Sequence, residues 1–409
     1  MIHYIDSGLT SNLGHHSNAA RRIAGEIRRR DIGCPIYGYI GMDDGLAKEL
    51  SATPLFTVNT YASDPNNKIS GWLNVFLESA AQFSKSLVMS FPASDTKLYV
   101  NSAGPAQLFG LINYLEFNTD ARAVIEFGVD PGLEITQTEP GKLNLSVPDP
   151  RADARATFYH YCATKLSSSV LPRITMVTFD PDSSTAYQAL MGRPVQTLPV
   201  PIAAYRPVRK RTALFKDNSI CVSFLGHARG EKGVDIIPAL LAELWGKLDH
   251  GKHLKVLVHT GGAPMSAEWK YNIKESSLSP VLDERCADEQ IWNELLGHSD
   301  IIVLPYWPAR FATSYSAIAC EAIANGIPLV VPSHTTMARV AREHGGAAME
   351  VTKDVDGPDA FSPELGAKGI LSAVENFGEL ADRAVEGAKL WAERHGPART
   401  VDAILGMLE

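Results

Sequence analysis

Short apolar runs alternate along this chain with amphipathic stretches of helix length, and in the second half the run Ile220 to Leu225 stops abruptly at Gly226. Strands buried on both faces read as such runs, because a parallel sheet needs covering segments to carry the chain back. A helix is expected from about Asp235 through Leu248, where Ile237, Leu240, Leu241, Leu244 and Leu248 form one stripe. Strands are then expected at Lys255 to Thr260, Ile301 to Tyr306, Pro328 to Pro332 and Ala347 to Val351. Helices at Glu289 to Leu296, Ser316 to Ala324 and Met337 to Glu343 fall between them. The first half reads similarly, with strands at Ile2 to Ile5, Leu55 to Val58, Leu87 to Phe91, Lys97 to Asn101, Ala123 to Phe127 and Arg173 to Phe179. Helical spacing marks Asn18 to Arg30 and Gly71 to Phe83.

Repeated prolines at Leu198-Pro199-Val200-Pro201 and Tyr205-Arg206-Pro207 interrupt this alternation and mark a linker. With 409 residues, two α/β domains follow, 1–203 and 204–385, each with a parallel sheet. The helical tail 386–409, broken near His395-Gly396-Pro397, is expected to pack back on the first domain.

Hydrophobic residues at 45% and charged residues at 21% are ordinary for a globular chain, which disfavours disordered and fibrous classes. A net charge of -8 argues against nucleic acid as partner and for a small ligand. Cys34, Cys162, Cys221, Cys286 and Cys320 show no paired ligand spacing, which suggests reduced, buried thiols in a cytoplasmic protein and no metal. The start lacks a signal-peptide pattern, and no apolar run is long enough to span a membrane.

Open parallel sheets bind ligands where strands lead into helix N-termini, so the strand-to-helix turns are where chemistry is sought. The first such turn, Gly226-His227-Ala228-Arg229-Gly230-Glu231-Lys232-Gly233, combines three glycines with two cations. It reads either as an anion site, with Arg229 and Lys232 facing a diphosphate, or as an ordinary solvated loop. The second follows Asp300 to Pro305: Tyr306 opens a polar and aromatic loop, and Thr313, Ser314, Tyr315 and Ser316 lead into a helix holding Glu321. A carboxylate there can accept both hydroxyls of a ribose, although a lone Glu more often faces water. The apolar and small neighbours Ile318, Ala319, Cys320, Ala322 and Ile323 favour the ribose reading. The third is the loop Ser11 to Asn18, where Gly14, His15 and His16 face either a substrate or solvent. The following helix bears Arg21, Arg22, Arg28, Arg29 and Arg30, a solvated face or, on the sharper reading, a peripheral contact with an anionic membrane surface.

Together these segments resemble glycosyltransferase family 4 across roughly residues 220 to 350. The family pattern is a strand, Gly-Arg-Leu, three residues and Lys-Gly, then Glu, seven residues and Glu-Ala, then Gly-Pro. Gly226, Lys232 and Gly233 match in spacing, as do Glu321-Ala322 and Gly326-Ile327-Pro328. The resemblance implies a GT-B fold, two Rossmann-like domains whose parallel sheets face a central cleft. It implies a nucleotide-diphosphate sugar as donor substrate with no cofactor, Lys232 and a nearby arginine on the diphosphate, and Glu321 on the ribose. It further implies metal-independent transfer with retention to an acceptor, whether glycan, lipid-linked glycan or small molecule. Donor contacts are then expected from Gly14, Gly226, Arg229, Lys232, Gly233, Tyr306, Thr313, Ser314, Tyr315, Ser316 and Glu321. His15, His16, Arg229 and Lys232 are the candidate catalytic groups.

Two positions depart from the pattern. His227 replaces the family arginine, for which Arg229 is the substitute, and Thr313 replaces the earlier Glu, leaving hydroxyls where a carboxylate contacts the donor sugar. A sugar-nucleotide epimerase of related fold and a non-catalytic sugar-nucleotide-binding protein are the alternative readings. A dinucleotide oxidoreductase is disfavoured, since Gly8, Gly14 and Gly25 do not form Gly-x-Gly-x-x-Gly.

Overall fold

The computed structural model describes residues 1–12, 14–61, 69–92, 95–128, 130–139, 142–151, 153–208, 219–248, 254–351 and 361–409; Leu13 of the first loop lies outside the described residues. The chain divides into two compact units. Unit 1 comprises Met1–Ile135, Leu143–Pro201 and Gly396–Glu409, and unit 2 comprises Thr136–Lys142 and Ile202–His395.

The strands of the unit 1 sheet are β1 (His3–Ile5), β2 (Ile36–Tyr39), β3 (Ala52–Phe56), β4 (Lys97–Ala103), β5 (Arg122–Phe127), β8 (Ile174–Thr178) and β9 (Gln196–Thr197), while β6 (Glu134–Glu139) and β7 (Lys142–Ser146) form a separate two-stranded sheet. The helices of unit 1 are α1 (His15–Arg29), α2 (Asp44–Leu50), α3 (Ile69–Ser90), α4 (Pro105–Phe117), α5 (Arg155–Lys165) and α6 (Pro181–Met191). The main sheet has the order β3-β2-β1-β4-β5-β8-β9, and its strand pairs are parallel. Successive strand residues feed opposite faces, as pleating requires. Ile5, Leu98 and Val100 join a core with Phe76, Phe83, Leu111 and Tyr159, while Tyr4, Tyr99 and Val124 join Ile23, Ile27, Leu46 and Ile404. Both faces are therefore covered, which explains the uninterrupted apolar character of these strands.

Unit 2 contains β10 (Ile220–Phe224), β11 (Leu254–His259), β12 (Val281–Asp283), β13 (Ile301–Val303), β14 (Leu329–Pro332) and β15 (Ala348–Val351). They form one parallel sheet in the order β12-β11-β10-β13-β14-β15. Its helices are α7 (Ile237–Lys247), α8 (Ala267–Lys274), α9 (Glu289–His298), α10 (Pro308–Phe311), α11 (Ala317–Ala324), α12 (Thr336–Glu343), α13 (Pro363–Glu375) and α14 (Phe377–Arg394). This order, two strands outward and then a reversal across the first, is that of a doubly wound dinucleotide-binding fold.

The last helix, α15 (Pro397–Leu408), belongs to unit 1. Val401, Ile404 and Leu408 pack with Ile23 and Ile27, and Thr400 Oγ1 donates to the Pro199 carbonyl at 2.8 Å. Residues 386–395, expected with this tail, lie instead in α14 and its cap within unit 2.

One further reading changes. Leu87 to Phe91 is not a strand but the end of α3 and the residue beyond it, because Phe76, Phe83 and Leu87 repeat at helical spacing and bury one face. The arginines of α1 and its cap lie at the surface, with Arg28 and Arg29 exposed, and most of them are paired with neighbouring groups. Arg29 and Arg30 bind Glu26, Arg30 also binds Asp402 at 2.5 Å, Arg21 binds Glu49, and Arg28 donates to the Cys34 and Leu50 carbonyls. Among the described residues no helix is long and apolar enough to cross a membrane.

Candidate active site

Each sheet has a switch point where neighbouring strands lead their connections in opposite directions, between β1 and β4 in unit 1 and between β10 and β13 in unit 2. Ligands of open α/β sheets bind outside the carboxyl ends of strands at such points. The residues singled out by the sequence fall at these two places.

In unit 2, β10 ends into the Gly226 turn and a short 3-10 turn, Gly230–Lys232. Gly233 has φ +69, and a Cβ there would lie 2.0 Å from the Pro305 carbonyl oxygen. This glycine is thus required by packing of the loop against the end of β13, not by approach of a ligand. The Trp307 N–H donates to the Glu231 carbonyl at 3.0 Å, tying the same two loops again. Lys232 is drawn over the Tyr306 ring, with Nζ 5.6 Å from the ring centre. Burial, with Arg229 nearby, pulls its ammonium down to about 8. The Tyr306 hydroxyl is buried near Ser316 without a partner in hydrogen-bond geometry, and burial pushes its pKa well up. A Cβ on Gly226 would meet Ile318 Cδ1 at 2.6 Å, with Lys232 Nζ at 3.6 Å and Tyr306 Oη at 3.9 Å, so Ile318 packs against this glycine beside the two polar groups. Cation and hydroxyl therefore converge at the turn.

Arg229 occupies a different environment. Its side chain is 54% exposed and its Nε lies 3.2 Å from Glu231, so part of its charge is already met. Thr313 is buried, and Ser314 Oγ accepts from Arg310 Nη1 at 2.8 Å. Tyr315 is partly buried, and Ser316 caps α11 by accepting from Ala319 N. Glu321 is only 6% exposed and its Oε2 accepts from Trp292 Nε1 at 2.5 Å, so the carboxylate is held inside unit 2 rather than on a helix surface.

Trp292, Arg310 and His259 were not singled out by sequence. His259 accepts from Gly226 N at Nδ1 and donates from Nε2 to the Arg285 carbonyl, which fixes its tautomer and steadies the turn. Its position at the end of β11 is the signal that could have found it.

In unit 1, Gly14 caps α1 with φ +92 and is exposed. His15 is exposed as well, whereas His16 is 8% exposed. His16 Nδ1 lies 2.8 and 2.9 Å from the two oxygens of Asp6, a fully buried carboxylate that also accepts from Gly8 N and Asn101 Nδ2. With three donors around it Asp6 is the acceptor throughout, so His16 Nδ1 carries a proton and Nε2 faces outward. A Cβ on Gly8 would meet His16 Cε1 at 2.3 Å, so the ring can sit here only over glycine.

Beside it, Ser102 adopts φ +52 in an irregularity of β4 between Val100 and Ala103. Its N–H donates to Glu126 Oε2 at 2.7 Å, which holds a conformation that costs a non-glycine residue free energy. Burial raises Glu126 to about 7. Asp6 and Glu126 had readable signals: the first residue after a buried strand, and the one charge inside the apolar run Ala123 to Phe127. Among the described residues, no three His, Cys, Asp or Glu side chains converge as a metal site would require.

No protein-family model and no curated protein sequence matches the chain. Solved structures do. HepE from Anabaena in complex with UDP-glucose is similar over 100% of this chain and 98% of its own, at 14% identity and TM-score 0.64. Sucrose-phosphate synthase from Thermosynechococcus elongatus is similar over 99% and 96%, at 12% identity and TM-score 0.64. WaaG, a glycosyltransferase involved in lipopolysaccharide biosynthesis, is similar over 99% and 100%, at 14% identity and TM-score 0.64. At such identities the likeness concerns the fold, and with two doubly wound parallel sheets matched over their whole length the chain has the GT-B fold of these glycosyltransferases.

Proposed function

We propose that this protein is a glycosyltransferase that moves a sugar from a nucleoside-diphosphate sugar to a hydroxyl acceptor. The observation that carries the reading is the ligand edge of unit 2. There the buried carboxylate of Glu321, set by Trp292, lies on α11, the second helix after Tyr306, which is paired with Lys232. A nucleoside diphosphate supplies a ribose diol for the carboxylate and anionic oxygens for the ammonium and the phenol hydroxyl. HepE, of the same fold over its full length, holds UDP-glucose, which supports a donor of this class here.

In this reading Lys232, with Arg229 at the mouth of the turn, stabilises charge on the departing diphosphate, so the leaving group is met by side chains without a metal ion. Gly226 lets the phosphates approach, and Thr313, Ser314, Tyr315 and Ser316 present hydroxyls to the donor sugar. From unit 1, Gly14 is the expected donor contact, and His15 and His16 are the candidate catalytic groups.

The test is a thermal-shift screen of UDP-, GDP-, ADP- and dTDP-glucose. A nucleotide that binds only the native state raises the melting temperature. At least one donor is expected to stabilise the protein, with the shift reduced in Glu321→Ala and Lys232→Ala. No shift from any donor, or shifts unchanged in both variants, refutes the donor site. Product analysis with and without an acceptor then separates transfer from epimerisation.

A further inference from the structure

The carboxylate of Glu321 lies inside unit 2, and the indole of Trp292 reaches it from a different helix. α11 holds Glu321 rigidly: Ser316 caps its start, Ile318 to Ala324 are all buried, and Asn325 Nδ2 donates to the Glu321 carbonyl at 2.8 Å. α9 is fixed at its first turn, where Asp288 Oδ1 accepts from Ile291 N at 2.8 Å and the Asp288 carbonyl accepts from Trp292 N at 2.9 Å. Leu295 and Leu296 bury the next turn. Between these two helices Trp292 Nε1 donates to Glu321 Oε2 at 2.5 Å. The His259 ring lies 6.2 Å from the indole, and burial lowers its pKa, so a neutral ring stands beside the pair at pH 7.

An indole N–H donates and never accepts, so the bond exists only with the carboxylate as acceptor. It takes one of about four lone-pair positions on the carboxylate, and hydroxyl donors can use others. A Glu side chain without such a bond turns about its torsions. An acceptor fixed only when the ligand arrives gives up part of its hydrogen-bond free energy to lost rotamers. One fixed beforehand keeps that free energy for the ligand. Omission of a hydroxyl is then costly, because a buried carboxylate left short of donors has lost its water as well.

We propose that Trp292 is a positioning residue that fixes Glu321 to read the ribose 2′-hydroxyl, and that it thereby restricts the donor to ribonucleoside diphosphates. This rests on the transferase reading above, which places the ribose at Glu321. Of the donors in the thermal-shift screen, dTDP-glucose, which lacks the 2′-hydroxyl, is the one rejected.

The experiment is titration calorimetry on the full-length protein with UDP, GDP and ADP and with their 2′-deoxy forms; the base that binds tightest is carried forward. Wild type is expected to prefer the ribonucleotide about 10- to 100-fold, as for a hydrogen bond to a charged group. Trp292→Phe keeps an aromatic ring and removes the N–H. It weakens the ribonucleotide and leaves the deoxynucleotide within about twofold, so the preference falls below about threefold. Glu321→Ala abolishes the preference, and adding Trp292→Phe to it changes ribonucleotide affinity no further. A readout that needs neither ligand nor the Trp292 variant is NMR of the six tryptophan indole N–H groups. One resonance stands downfield and moves upfield in Glu321→Ala.

Three results overturn the positioning role: a wild type that binds both forms alike, equal loss of both in Trp292→Phe, or indole resonances unmoved in Glu321→Ala. Each of them leaves the donor site standing where Lys232→Ala still weakens the nucleotide. A wild type that binds none of the ribonucleotides defeats the donor site itself, and this role with it.

Discussion

Replacing Gly233 with alanine separates two costs that coincide at the donor turn. The residue has φ +69, a region where a side chain costs about 1–2 kcal/mol. Its Cβ would in addition stand 2.0 Å from the Pro305 carbonyl oxygen and 2.9 Å from the carbonyl carbon. Backbone atoms cannot swing aside as a flexible side chain can, so a second cost of about 1–3 kcal/mol is expected from forced displacement. The total is about 2–5 kcal/mol. Gly192 provides the matching control, since it has φ +60 and nothing within 4 Å of its Cβ position. Gly192→Ala should therefore show only the conformational cost, about 1–2 kcal/mol. Urea unfolding followed separately for each unit measures the two losses. A second readout is ligand protection, because a ligand at 100 times its Kd stabilises by about 2.7 kcal/mol. Protection by UDP should be lost or sharply reduced in Gly233→Ala, whose Lys232 loop must move, and kept in Gly192→Ala. Equal destabilisation of the two variants, with UDP protection intact in both, refutes the claim that contact with Pro305 sets the donor turn.

Three more outcomes follow from particular side chains. Lys232 is held down to about 8, so its positive charge is lost as pH rises through that value; UDP affinity should weaken above pH 8, with proton uptake on binding seen by calorimetry in two buffers. Glu126 is raised from its ordinary value to about 7, so the folded state binds more protons than the unfolded state between those values and stability falls as pH rises across them. Glu126→Gln keeps an acceptor for Ser102 N–H and should flatten this fall in pH-dependent urea melts; an unchanged slope contradicts it. Cys286 is exposed whereas Cys34, Cys162, Cys221 and Cys320 are buried, and burial pushes Cys34 up to about 11; a disulfide reagent should therefore modify one thiol in the native protein and all five after unfolding.

The expectation of uniformly buried thiols thus fails at Cys286, which lies beyond β12 beside Gly261 and not in an apolar run. The sheet of unit 2 was legible because its strands are covered on both faces, and Ile220 to Leu225 or Ile301 to Val303 consequently carry no polar alternation to obscure them. In unit 1 the pattern was harder to read. β2 is a short strand of Ile36, Tyr37, Gly38 and Tyr39 directly after Pro35, and its glycine and proline surroundings mimic a turn. The continuation of α3 to Ser90 was hidden because Leu87, Val88 and Met89 also read as an apolar strand.

The candidate site was legible in proportion to how local it is. Gly226, Lys232 and Gly233 lie in one turn, and Glu321 interrupts an apolar helix, so each leaves a trace in sequence. The partners that define their chemistry come from elsewhere. Trp292 arrives on α9, and Tyr306 is set beside Lys232 only because β13 pairs with β10. The same holds for Asp6, Asn101, Ser102 and Glu126, which the order β1-β4-β5 brings side by side from distant parts of the chain.

Hydrogen exchange with and without UDP-glucose tests the donor site most directly, because a ligand slows exchange where it suppresses local opening. The account predicts protection concentrated in Gly226 to Gly233, in Tyr306 to Glu321 and at Trp292, and its loss in Glu321→Ala. Protection absent from these segments, or unchanged in that variant, contradicts it.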